Sequence, residues 1–149
     1  MHSPLLHAGV ITAELTAEHL RPEQILGGTP TTRGTTLGVS PDGNLAYCLW
    51  ACTIGKFRWW YNCDEIIHIL EGSATIKLEG AAARVIGPGD VLYFEPGLVA
   101  DWEVTADIKK LAICRSQVPS VRHRMTAKLQ KLVRGLRSSG ANDRDRAHL

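Results

Sequence analysis

Between residues 31 and 114 the chain is cut into short apolar runs by glycine- and proline-bearing turn signals, and this rhythm restricts its fold more than any other feature. The runs are 35–39, 45–53, 57–62, 65–70, 74–78, 83–86, 91–94, 99–104 and 108–114. Between them stand Ser40-Pro41-Asp42-Gly43-Asn44, Gly55, Glu71-Gly72, Glu79-Gly80, Gly87-Pro88-Gly89-Asp90 and Glu95-Pro96-Gly97. Proline presets one backbone dihedral of a turn and glycine supplies a positive one. Many short strands at this spacing, with no helical crossover between them, predict an all-β antiparallel sandwich or barrel. Asp90 reads as a carboxylate that stabilises its own turn.

Both ends differ from this body. Residues 1–30 read as an N-terminal extension, with a helical turn or two between 16 and 26 if Pro22 occupies the first turn. After Pro119, the residues Met125, Leu129, Leu132, Val133 and Leu136 recur at helical spacing, which predicts an amphipathic C-terminal helix over 117–137. Ser120 suits its N-cap, and Arg134 and Arg137 suit the C-terminal end of its dipole. It packs on the barrel or a second subunit, or else serves as a basic contact to a membrane surface or protein partner. Residues 138–149 read as a disordered basic tail. The domain between the ends is 31–116.

Charge and cysteine content narrow the function classes. The net charge of +2 hides an asymmetry: residues 122–149 carry eight Lys and Arg against two Asp, so the body is weakly acidic. An acidic body with a basic tail is not a nucleic-acid-binding core. No apolar stretch approaches the ~20 residues of a membrane-spanning helix, and the first residues lack the pattern of a signal peptide. The four cysteines fit no CxxC spacing. Reduced thiols and a cytoplasmic location are the expectation.

Two segments carry a family resemblance. GKFRWWYNCDEIIHILEG at 55–72 and GPGDVLYFEPGLVADW at 87–102 resemble the two cupin motifs. Glu65 and Gly72 match the end of the first; Gly89-Asp90 and Pro96-Gly97 resemble the second. A Trp five residues after the Pro-Gly turn looks most like the cupin_3 subfamily, also labelled DUF861, which includes the domains of (S)-ureidoglycine aminohydrolase. The resemblance runs from about residue 33 to 115 and implies a single RmlC-like jelly-roll barrel. Because cupin-like domains pair through sheet edges, it also implies a homodimer. It is specific for fold and weak for activity, since one barrel hosts many chemistries.

The departures from the family pattern bear on chemistry. The usual first motif carries His-x-His shortly before its Glu; here those positions hold Trp59 and Tyr61, or Arg58 and Trp60. The usual second-motif His is Ala100. Three of four metal ligands are replaced, and Glu65 alone cannot hold a transition metal, which wants three or more donors. No metal and no cofactor are therefore expected. Strand alternation turns His68 outward when Glu65 points inward, together with Ile67 and Ile69. Cys48 and Cys52 share a face and read as buried apolar thiols.

Aromatic residues take the place of the missing imidazoles. Five of the nine Phe, Trp and Tyr lie between Trp50 and Tyr61, and the second motif adds Tyr93, Phe94 and Trp102. Alternation puts Trp59 and Tyr61 on one face and Trp60 on the other. Two readings stay open: the rings plug the barrel as core, or they wall a pocket for a small polar, planar or cationic metabolite. In the second, Trp59, Tyr61, Tyr93 and Trp102 form the walls, Glu65 lies at the base and Arg58 at the rim. A carboxyl in an apolar pocket titrates above its usual range, so Glu65 is the candidate hydrogen-bond acceptor or general base. The sequence thus supports a small-molecule-binding cupin. The alternatives are a metal-dependent enzyme of the ureidoglycine aminohydrolase type with unconventional ligands, and a non-catalytic module acting through its basic helix.

Overall fold

The computed structural model describes residues 12–116. The helix expected at 117–137 and the tail at 138–149 lie outside these residues. Nine strands follow in chain order among the described residues: β1 (Thr16–Glu18), β2 (Ile25–Gly27), β3 (Thr32–Val39), β4 (Leu45–Cys52), β5 (Gly55–Trp60), β6 (Asp64–Leu78), β7 (Arg84–Ile86), β8 (Val91–Phe94) and β9 (Val99–Arg115). All of their pairings are antiparallel. The result is one curled sheet, the all-β cupin barrel that the motifs imply.

A long ladder between β6 and β9 is the spine. β9 pairs with β6 along one edge, and with β5 and then β4 along the other. β6 takes β8 against its first half and β7 against its second. Both spine strands were expected in two pieces, with a turn at Glu71-Gly72. Instead, β6 runs through Gly72, which has φ 77°, and its register with β9 shifts between Ile69 and Ala74. A bulge of this kind adds residues to one strand and bends it. Its effect shows in the burial pattern. Odd-numbered Ile67 and Ile69 face the core before the bulge and even-numbered Ala74 and Ile76 face it afterwards. The bulge resets side-chain parity, so both halves of β6 stay apolar toward the interior.

The N-terminal stretch contributes strands rather than a helix. β1 pairs with β3 and β2 with β5. Between them Pro22 opens a short 3-10 turn, Pro22–Gln24, where its missing N–H costs nothing. Other turns follow the sequence. The Asp90 carboxylate accepts the Gly87 N–H at 2.9 Å, and Asp42 accepts from Ser40 and Asn44. The core is formed by Phe57, Ile67, Ile69, Ile86, Trp102, Val104 and Ile108, all essentially inaccessible. Among the described residues no helix is long and apolar enough to cross a membrane.

Candidate functional site

Three rows of inward-facing residues cross the half of the sheet built from β4, β9 and β6. Register pairs Trp50 with Lys110 and Ile69, Cys48 with Ala112 and Ile67, and Ala46 with Cys114 and Glu65. Lys110 therefore lies on the inner face of β9, two rows from the level of Glu65. The methyl of Ala112 occupies the position between, which leaves space for the lysine stem. Lys110 Nζ donates to Glu65 Oε1 at 3.0 Å. The two residues are 6% and 7% exposed. Nζ also lies 4.9 Å from the Trp50 ring centroid and 5.2 Å from that of Trp102. Glu65, expected alone at the base of the barrel, is one half of a desolvated ion pair set between two indoles.

The opposing wall is aromatic. Phe57 on β5 stacks on Trp102 at 5.9 Å with an 11° interplanar angle. Trp59 meets Trp50 edge-on at 6.2 Å and Phe57 at 6.4 Å. Tyr61 stacks on Phe94 at 4.1 Å and 3°, and its phenol oxygen accepts the Trp102 indole N–H at 3.2 Å. Burial, with the Glu65 carboxylate nearby, pushes the Tyr61 phenol well above its usual range and keeps it neutral. Offset and edge-on ring pairs of this kind each add about 0.5–1.5 kcal/mol beyond their buried area.

These groups enclose a cavity of about 180 Å³. Trp50, Phe57, Trp59, Tyr61 and Trp102 wall it, Glu65 and Lys110 supply its polar floor, and Glu18 of β1, an exposed residue, adds a carboxylate. Ala112, Cys48 and Cys114 complete the lining. The Cys48 thiol beside it, together with burial, pushes Cys114 up. Burial raises Cys63, beside them, and pushes Cys52, deeper in the core, up to about 12.

Of the residues singled out by sequence, Trp59, Tyr61, Glu65 and Trp102 meet at this cavity, whereas Arg58 and Tyr93 do not. Arg58 alternates with Phe57 and Trp59 on β5 and so points outward. There it clasps its cross-strand partner Asp101 through Nε and Nη2 at 2.6 and 2.9 Å. The same alternation on β8 turns Phe94 inward and Tyr93 outward. The Tyr93 hydroxyl donates to Asp64 Oδ1 at 2.6 Å, and Arg115 donates to Oδ2 of the same carboxylate. His68 is exposed, as its parity requires. Lys110 was missed because a lysine in a strand normally reads as solvated. It shares parity with Ile108 and Ala112, but Leu111 and Ile113 make the other face of the strand equally apolar, so the sequence left its direction undecided. Glu18 offered no signal, since it sits in a stretch expected to lie outside the barrel.

The donor set does not fit a cupin metal. The positions of the usual imidazoles hold Trp59, Tyr61 and Ala100, and the remaining carboxylate is bound to an ammonium that would repel a cation. Among the described residues, no group of three or more His, Cys, Asp or Glu is arranged to hold an ion.

Comparison with known proteins agrees with the fold and motifs. The family model of the EutQ-like cupin domain, Cupin_3, matches residues 39–112. A DUF861 family protein from Thermotoga maritima is 31% identical over 43% of this chain and 73% of its own, with a TM-score of 0.42. A protein from Salmonella typhimurium LT2 described as ethanolamine utilization protein Q is 24% identical, covers 57% of this chain and 69% of its own, and has a TM-score of 0.51. A DUF861 protein of unknown function from Pseudomonas syringae pv. tomato DC3000 gives a TM-score of 0.63 at 20% identity, over 68% of this chain and 44% of its own. At those identities the Salmonella and Pseudomonas structures bear on the fold alone. No curated protein matches the chain. With its motifs at the matched positions and its strands in a cupin barrel, the chain belongs to the EutQ-like Cupin_3 family.

Proposed function

We propose that this cupin binds a small, planar organic molecule in its aromatic-walled cavity, oriented by the Glu65–Lys110 pair rather than by a metal. One observation carries the reading: a buried ion pair lines an open space. Taking two charges out of water costs several kcal/mol per ion, and apolar side chains of similar volume usually serve stability as well or better. A pair retained at the floor of a cavity, with further N–H and carboxylate capacity, suits a ligand that both accepts and donates. Walls of Trp59, Phe57 and Tyr61 suit a flat ring, following the common pattern of an apolar pocket with a few placed polar groups.

Benzamide is a probe with this chemistry: its carbonyl suits Lys110 and its amide N–H suits Glu65. Three tryptophans line the cavity, so their fluorescence reports occupancy. Saturable quenching by benzamide is expected in the native protein. Trp59→Leu removes one wall and weakens binding by about 0.5–1.5 kcal/mol, the worth of an aromatic pair. Absence of any saturable change, together with no small molecule retained in native mass spectra, overturns the reading.

A further inference from the structure

We propose that Lys110 captures carbonyl compounds covalently, making the cavity a site for a small aldehyde or ketone held as an imine on Nζ. This rests on the cavity being a ligand site and deepens that reading by naming a ligand class.

The argument begins with placement. Among the described residues, Lys110 is the one lysine lining the cavity, and its amine lies at the floor beside a carboxylate with apolar rings around both. Lysine amines set among apolar side chains are the ones that condense with carbonyls, once a proton acceptor within reach has freed the amine. Glu65 Oε1, 3.0 Å from Nζ, is that acceptor.

The step balances within these two residues and the ligand. Glu65 takes one proton from the Lys110 ammonium, and the freed amine forms a C–N bond to the carbonyl carbon. Protons relayed through Glu65 reach the former carbonyl oxygen, whose C–O bond breaks as water leaves. The product is a protonated imine. Ammonium plus carbonyl becomes iminium plus water, with no external oxidant, reductant or net change of charge.

Conservation of charge is what the surroundings favour. The iminium carries the positive charge where the ammonium carried it, so the pairing with Glu65 and the faces of Trp50 and Trp102, 4.9 and 5.2 Å from Nζ, serve both states. No new charge is buried and none is stranded. Trp59 and Tyr61 then flank whatever is attached to the carbonyl carbon. Cys48 and Cys114 face the same space, but a thiol adduct of an aldehyde is not fixed by mild hydride reduction, so trapping separates the two nucleophiles.

The test uses the full chain, benzaldehyde and sodium cyanoborohydride, with the modified residue located by peptide mass spectrometry. The expected result is a benzyl group on Lys110 ahead of the surface amines, with its formation slowed by excess benzamide. Glu65→Gln slows trapping by about 10²-fold, the lower range for loss of a general acid–base group. Lys110→Arg retains a cation opposite Glu65, and its total labelling falls to that of the surface amines, with folding checked by circular dichroism. Labelled surface amines with an unmodified Lys110, in a protein that still binds benzamide, overturn the imine and leave the ligand reading standing. Absence of both Lys110 labelling and benzamide binding overturns the imine and the ligand reading together.

Discussion

Lys110 and Glu65 depend on each other because neither has water to turn to. Removing one partner strands a charge in the interior, while removing both removes the problem. Lys110→Met is expected to lower the unfolding free energy by about 3–5 kcal/mol, and Glu65→Leu with Lys110→Met to recover most of that loss. Urea unfolding of the two single variants and the double variant measures it; costs that simply add would show that the pair is not coupled. The inward turn of Glu65 came from its place in the motif, and alternation then carried Ile67 and Ile69 to the same face. That of Lys110 was not legible, since 108–114 is apolar on both faces and parity cannot choose between them without the partner strands. The outward turn of Arg58 and Tyr93 obeys the same alternation that was applied to Trp59 and Trp60.

Glu71-Gly72 and Glu79-Gly80 read identically in sequence, yet only the second turns the chain back. Gly72 adopts φ 77° inside β6, and a Cβ there would collide with the backbone carbonyl oxygen of Asp107 on β9. Gly80 has a similar φ of 73° with open space around it. The difference lies in a neighbouring strand, which local sequence does not encode; hence the two long strands looked like four short ones. Gly80→Ala is expected to cost about 1–2 kcal/mol, the ordinary penalty of a left-handed non-glycine residue. Gly72→Ala adds a steric clash with backbone and is expected to cost clearly more, while also disturbing the parity that holds Ile67, Ile69 and Ala74 in the core. Thermal unfolding of the two variants ranks them. Equal losses would mean that the β6–β9 ladder yields at this point and that the bulge does not fix the register of the site.

Titration of the whole molecule should follow from groups on opposite sides of the sheet. Asp64 is held below the ordinary carboxylate value of 3.8 by the Tyr93 hydroxyl and Arg115, Asp101 by Arg58, and Asp42 by Ser40 and Asn44. With folded values depressed, the unfolded chain binds more protons below 3.8. The stability these groups contribute is therefore complete above that value and is lost as pH falls through their folded values. At the other end the sign reverses. Burial raises Cys52 from 9.0 to about 12 and raises Tyr61 above its ordinary 10.0. Unfolded, both release protons that the folded chain keeps, so stability declines as pH rises past 9. Melting temperatures measured from acid to alkaline buffers should form a plateau with two falling limbs. Asp64→Asn should make the acid limb shallower, and Cys52→Ala the alkaline one, whatever each does to the height of the plateau. Because Tyr61 stacks against Phe94 inside the cavity wall, the alkaline limb also reports on the site. A level response from pH 9 to 12 would mean that water reaches Cys52 and Tyr61 in the folded state, and a barrel that wet could not keep Lys110 and Glu65 desolvated at its floor.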